Sequence, residues 1–255
     1  MESERSSGVH RTLAILSALG SKEATERGGL GVVEIAKRVG REKSQVSRAL
    51  KALDRAGFVE RDRDNLGYRL GWQVFALAAG AGRPRLLTEA RPVLRRLVSV
   101  LKERVHLTVR TADGALTVLS ESPMRAVQTA GWVGRVTPLT TTSSGRALLF
   151  DHTDDDVREL FAGVPFADGG PRAPRDVGDL LDRLRRAREA GYALAVDEFE
   201  AGLVAAAAPV RDFQGRVMAA VNVSAPKYRM AAELDAAARV VATAAQQISR
   251  AMAGR

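Results

Sequence analysis

The chain has 255 residues, 39 Lys plus Arg against 30 Asp plus Glu, and a net charge of +9; with 45% apolar and 27% charged residues it has enough core-forming material to fold without staples. The absence of Cys excludes a disulfide framework, a Cys–His zinc site, an iron–sulfur cluster and a cysteine nucleophile, and three histidines (His10, His106, His152) are too few for a His-rich metal site. No apolar run reaches the roughly 18 residues of a membrane-spanning helix, and the opening MESERSSGVHRT lacks the hydrophobic segment of a secretory signal, so the expectation is a cytoplasmic protein of one or two domains with no metal and no cofactor.

Residues 9–19 place Val9, Leu13, Leu16 and Leu19 at helical spacing, which predicts an amphipathic helix. The Gly- and charge-rich stretch that follows, GSKEATERGGLG, reads as a loop. A second helix over 32–40 carries Val32, Ile35, Ala36 and Val39 on one face and ends at Gly40. After the link GREK, a third helix over 44–56 turns Val46, Leu50 and Leu53 inward and stops at Gly57. The segments 58–62 and 68–72 alternate apolar and polar residues around the turn DNLG, the pattern of a hairpin. Three short helices followed by a basic hairpin predict a winged helix-turn-helix over residues 1–71, with the third helix as the recognition helix.

The charge supports that reading by its location. Of the basic residues 33 are Arg, which reads as a general Arg bias, but residues 37–55 alone hold seven cations against Glu42 and Asp54, a local +5. Localised excess is a better sign of a polyanion partner than global charge. At the start of the third helix, Ser44, Gln45 and Ser47 suit base edges or nearby phosphates, Arg48 suits bidentate reading of guanine or a phosphate, and Arg41, Lys43 and Lys51 suit the backbone. In the hairpin Arg61, Arg63 and Asn65 are placed to enter or flank a minor groove. The expected partner is double-stranded DNA; the bland alternative for the same residues is a solvated helix face.

The residues quoted so far carry a resemblance. GVHRTLAILSALG, LGVVEIAKRVGREKSQVSRALKALDRAGFVERD and YRLG resemble the start of the IclR-type transcriptional regulators, with their G-V-x-R-x-L-x-I-L opening, E-I-A step, S-x-x-R-x-L-x-x-L recognition helix and glycine-led approach to the wing. PLTTTSSGRALL, REAGYALAVDEFEAGLVAAAAPVRD and VNVSAP resemble three later motifs of the same family, so the likeness covers nearly the whole chain.

Beyond the wing, residues 72–82 have helical spacing that falls apart at Gly80, Gly82 and Pro84, so 72–84 reads as a linker helix followed by a domain boundary. Residues 86–104 predict a long helix with Leu87, Ala90, Leu94, Leu97, Val98 and Leu101 buried and Pro92 near its first turn. A hairpin follows over 106–122 with its turn at Asp113–Gly114, then a strand over 125–131, a polar-then-helical stretch over 137–150, and a helix over 153–161 that opens with a cap residue and acids. Residues 163–175 read as loop, 176–190 as an amphipathic helix, 192–196, 203–210 and 216–224 as strands, and 229–252 as a last helix. The fold class is α+β, with an antiparallel sheet and its helices over 85–255; the resemblance implies a GAF-like sensor domain there, and a linker helix that joins a dimer interface.

The resemblance also implies an effector site for a small organic acid. It places Thr142, Ser143, Ser144 and Gly145 in the loop that holds the ligand, with Arg146 where the family has Lys, and Leu203, Ala205, Asn222 and Ser224 across from it. The bland reading of Thr142 and Ser143 is that they cap the helix that follows. Asn222 and Ser224 are two apart and share one sheet face. Two departures, Ala205 where the family often has Cys and Ala195–Val196 where it has an acid, favour a less polar effector such as an aromatic acid over a small keto acid; Trp132, Met124 and Leu139 are candidate lining residues. The combined expectation is a dimer or tetramer that reads a pseudo-palindromic operator and responds to such an effector. Two rivals are a pure oligomerisation module and a Ser/Thr hydrolase built on the TTTSSG run with His106 or His152 as base; no G-x-S-x-G elbow and no glycine-rich nucleotide loop supports the latter.

Overall fold

Three apolar side chains at helical spacing, Val46, Leu50 and Leu53, pin the third long helix of the N-terminal unit to its neighbours. The computed structural model describes every residue except 1, 63–65, 81–83, 124–131, 167 and 255. The chain divides into two units, Met1–Pro84 and Arg85–Arg255. No described helix is long and apolar enough to cross a membrane.

The first unit runs α1 (Glu2–Leu19), α2 (Lys22–Glu26), α3 (Val32–Arg38), α4 (Lys43–Arg55), β1 (Val59–Arg61), β2 (Tyr68–Leu70) and α5 (Trp72–Gly80). β1 and β2 pair antiparallel as the wing, with Val59 opposite Leu70 and Arg61 opposite Tyr68. Ile15, Leu19, Leu30, Ile35, Val46, Leu50 and Val59 fill one core. Gly40 closes α3 in the left-handed region at φ 62°, and the Arg41 amide returns to the Ala36 carbonyl at 3.0 Å. A side chain there would meet backbone strain, which is why the turn into α4 uses glycine.

Two expectations change in this unit. The stretch after α1 is not all loop: Ser21 accepts from the Ala24 amide and starts the short helix α2. The buried stripe of α1 is Ile15 and Leu19, whereas Val9 and Leu13 are 62% and 57% exposed. Periodicity finds an apolar face but not which part of it this chain covers.

The second unit runs α6 (Pro84–Leu101), β3 (Arg104–Thr111), β4 (Gly114–Glu121), β5 (Val136–Thr137), α7 (Ser143–Leu148), α8 (Asp154–Leu160), α9 (Val177–Ala190), β6 (Ala193–Val196), β7 (Leu203–Arg211), β8 (Val217–Pro226), α10 (Lys227–Met230) and α11 (Leu234–Ala253). The strands form one antiparallel sheet in the order β5-β4-β3-β8-β7-β6. On one face Val204, Ala206, Ala208, Val221 and Val223 pack with Ala90, Leu94 and Leu97 of α6 and with Ala238, Val241 and Ile248 of α11. On the other, Ala207 and Ala220 pack with Ala147 and Leu148 of α7 and Leu180 and Leu184 of α9. Alternate residues of β7 and β8 therefore enter separate cores. Alanine is a poor strand former, yet Ala205–Ala208 hold the centre of β7, because burial between helices on both faces outweighs propensity.

Thr153 and Asp156 form the capping box that starts α8, and Asp176 caps α9, which ends at Gly191 with φ 78°. Pro92 lies well inside α6 rather than in its first turn; the lost amide bond is tolerated where Ala90, Val93 and Leu94 are buried around it. The short strand β5 sits in the stretch expected to be only polar and then helical. The last helix begins at Leu234, after α10 and a 3-10 turn at Ala231–Glu233. The strand expected over 125–131 lies outside the described residues.

Candidate nucleic-acid face and effector pocket

Burial of Val46, Leu50 and Leu53 leaves the opposite face of α4 to solvent. Lys43, Ser44, Arg48 and Lys51 are exposed there, Gln45 and Ser47 are half-buried, and Arg41 is exposed in the turn before the helix. None of Arg41, Lys43, Arg48 and Lys51 has an anionic partner among the described residues. Their neighbours behave differently: Arg27 and Arg38 are held by Glu23 and Glu34 at 2.6–3.1 Å. On the wing, Arg61 stacks over Tyr68 at 5.7 Å from the ring centroid, and Arg69 pairs with Glu60 at 3.1 Å. Arg63 and Asn65 lie outside the described residues. The structure thus collects Arg41, Lys43, Ser44, Gln45, Ser47, Arg48 and Lys51 around one helix.

In the second unit a cavity lies between the sheet and the loop leading into α7, with about 520 Å³ of unfilled space counting its open mouth. Its floor is His106 and Thr108 of β3, Thr117 of β4, Ala205 of β7, and Asn222 and Ser224 of β8; its wall is Thr141, Thr142, Ser143 and Ser144. Thr137, Ala195, Leu203, Trp132 and Phe199 complete the lining. Seven of the eight residues expected at an effector site come together here. The eighth, Gly145, does not line the cavity: a Cβ on it would stand 2.4 Å from Leu139 Cα and O, so this glycine lets α7 seat directly on the Leu139 backbone. Leu139 itself faces the core, and Met124 lies outside the described residues.

Thr142 has the capping role: its hydroxyl accepts from the Gly145 amide at 3.0 Å and donates to the Pro138 carbonyl at 2.7 Å. The Oγ of Ser143 does not cap anything. It is buried without a hydrogen-bond partner, as are Thr141 Oγ1, Asn222 Oδ1 and both ring nitrogens of His106. Buried polar atoms are almost always satisfied, so five unmet atoms gathered on four residues that line one cavity mark a place built to bind something polar. Among the described lining residues there is no Asp, Glu, Lys or Arg.

Charges lie just behind this lining. The Arg146 guanidinium, only 1% exposed, donates to Glu198 at 2.6 and 3.2 Å and to the Leu194 carbonyl, and Arg183 reaches the same Glu198 at 3.1 Å. Asp197, at φ 55°, pairs with Lys227 and accepts from the Gly202 amide at 2.8 Å, and these contacts hold its carboxyl below the usual range. The cation expected in the loop is therefore committed to Glu198. Beside two of the lining rings, Arg135 lies 4.5 Å from the Trp132 centroid and 6.0 Å from that of Phe199.

His106 is the pocket residue that sequence reasoning treated only as a spare base. Its imidazole is pushed down to about 3 by burial and by the nearby charge of Arg104, so it is neutral at physiological pH. Its ring centroid is 5.0 Å from that of Trp132. Its pairing opposite Asn222 on β8 is the signal that links it to the pocket, and that pairing depends on long-range register. His106 and Ser143 make no hydrogen bond to each other.

Comparison with known proteins follows this division. Residues 8–63 match the IclR helix-turn-helix domain, and residues 80–250 match the family described as bacterial transcriptional regulator IclR C-terminal. The chain is 31% identical to the HTH-type transcriptional regulator KdgR of Escherichia coli strain K12, over 96% of this chain and 92% of that one. It is 30% identical to the regulator BhcR of Paracoccus denitrificans, over 89% and 82%. Among solved structures, an IclR homologue from Microbacterium hydrocarbonoxydans complexed with 4-hydroxybenzoate superposes with a TM-score of 0.83 at 24% identity, covering 96% of this chain and 98% of that one. The C-terminal domain of E. coli KdgR superposes at 0.60 with 30% identity, covering 67% and 99%. With a matching helix-turn-helix, a matching effector-binding domain and a relative of this identity along almost its full length, the chain belongs to the IclR family of bacterial transcriptional regulators.

Proposed function

We propose that this regulator reads a pseudo-palindromic DNA operator through α4 and is modulated by a small organic acid, of the aromatic class, bound between the sheet and the Thr141–Ser144 wall. The observation that carries the DNA assignment is the face of α4, where four cations stand without anionic partners among the described residues. Ser44, Gln45, Ser47 and Arg48 take base edges and adjacent phosphates; Arg41, Lys43 and Lys51 take the backbone; Arg61 and Arg63 serve the wing. Val9 and Leu13 of α1 and Trp72, Phe75 and Leu77 of α5, each more than half exposed, are apolar surface that a second copy would cover. That pairing makes a dimer, or a tetramer of two dimers, and sets the half-site spacing.

The aromatic class rests on Trp132 and Phe199, on the small apolar Ala195 and Ala205, and on the hydroxyls of Thr141 and Ser143, which suit a carboxylate. The ligand of the Microbacterium homologue is of the same class. The protein works in the cytoplasm and is not an enzyme on this reading, since its pocket hydroxyls lack an aligned base. A gel-shift with the DNA upstream of its own gene tests it. Salt-sensitive specific retardation, altered by an aromatic acid, is expected; no specific retardation overturns it. Calorimetry adds a second check, because tighter binding of pyruvate-sized acids than of aromatic ones defeats the effector class.

A further inference from the structure

The floor of the pocket asks for a more particular ligand than an acid. Asn222 stands opposite His106 across β8 and β3, so the two side chains are neighbours on one sheet face. Neither Asn222 Oδ1 nor either His106 nitrogen has a partner, whereas Thr108 and Thr137 beside them spend their hydroxyls on the carbonyls of Ala220 and Ala115 at 3.3 and 3.4 Å. A neutral imidazole has one N–H to give and one lone pair to receive with, and Oδ1 can only receive. An oxygen that accepts from the ring and donates to the amide satisfies both at once.

We propose that His106 and Asn222 select an effector bearing a hydroxyl group, distinct from its carboxylate, which accepts from the imidazole N–H and donates to Asn222 Oδ1. The inference rests on the reading of this cavity as the effector pocket. With Asn222 Oδ1 turned toward the ring, as it stands, a carboxylate at this position has no proton to offer it. It also cannot draw a proton onto His106 cheaply, since burial and the Arg104 charge hold the ring neutral. The wall hydroxyls of Thr141 and Ser143 have no such restriction: each can rotate its proton toward an anion. The floor and wall are thus chemically different, and the ligand they fit is a hydroxy acid oriented with its carboxylate at the wall.

Calorimetry on the full-length protein with matched acids tests this: benzoate against 3- and 4-hydroxybenzoate, butyrate against 3-hydroxybutyrate, and terephthalate as a second carboxylate in place of hydroxyl. At least one hydroxy acid should bind about tenfold or more tightly than its parent, and terephthalate should bind more weakly than benzoate. In His106→Phe and in Asn222→Leu the ratio of hydroxy-acid to parent-acid affinity should fall to about one, whatever the change in absolute affinity. Parent and hydroxy acids binding alike to the wild-type protein overturns the proposal, whether or not the variants fold. So does an advantage that survives in both variants. If none of these acids binds, the effector reading itself falls and this proposal with it, an outcome plainly different from equal binding.

Discussion

Around α4, arginine and lysine stand alone: Arg41, Lys43, Arg48 and Lys51 have no anionic partner among the described residues. In the sensor unit several arginines are tied down instead. Arg146 is buried on Glu198, Arg183 bridges Asp179 and Glu198, Arg188 holds Asp154 and backbone carbonyls of the α7–α8 turn, and Arg229 holds Glu103. An unpaired exposed cation keeps its charge available for a phosphate at little cost in water, whereas a buried one must be neutralised on the spot. Net charge therefore says less about function than pairing does. Truncating a cation should cost stability in one unit and binding in the other.

The largest effect is expected at Arg146. Arg146→Ala leaves Glu198 buried with only Arg183 beside it, and breaking a buried pair costs about 3–5 kcal/mol. Urea unfolding should show the sensor unit destabilised to that extent; unchanged stability would mean that the pair is dispensable and the contrast between units is false. Next comes acid. His106 binds a proton at about 3 when folded and near its ordinary value of 6.5 when unfolded. Stability is thus intact above pH 6.5 and declines as pH falls, by about 2 kcal/mol between pH 7 and pH 5. His106→Phe should remove that part of the slope. Asp179, held near 2 chiefly by Arg183, sheds its contribution only at more acid pH and does not confuse the comparison.

At Arg48 the loss should appear in binding alone. Arg48→Ala is expected to weaken specific operator binding by about 1–3 kcal/mol if the residue reads a base, with the melting temperature unchanged. Equal operator affinity would remove Arg48 from the reading face. Smallest is Lys51→Ala, which should weaken binding to all sequences about equally and reduce the steepness of the salt dependence by about one phosphate contact, a slope change near 0.9. A fall in specificity instead would move Lys51 to the base edges.

Much of this was legible in the order of residues, for a physical reason that differs by region. In α4 the core positions and the cationic positions alternate within one helix, so periodicity and charge report on the same few turns. In β8 the run Val221-Asn222-Val223-Ser224 alternates so plainly that the two faces separate on inspection. What stayed hidden depends on partners far along the chain. Arg146 and Glu198 are 52 residues apart, and nothing local ties one to the other. His106 reads as one of several polar residues alternating along β3 until β8 is laid beside it. The exposure of Val9 and Leu13 is equally invisible locally, because an apolar stripe looks the same whether its own chain covers it or not.

The alternation in β7 gives the strand a mutational grammar. Val204, Ala206 and Ala208 face the core under α6 and α11, whereas Leu203 and Ala205 face the pocket. A saturation library across these positions would sort by parity. Even-numbered changes would be purged as misfolded protein, while changes at 203 and 205 would survive as regulators that answer to other inducers. Retargeting this protein as a biosensor could thus begin at Leu203 and Ala205, and stops before Ala207, which is buried against α7 and α9.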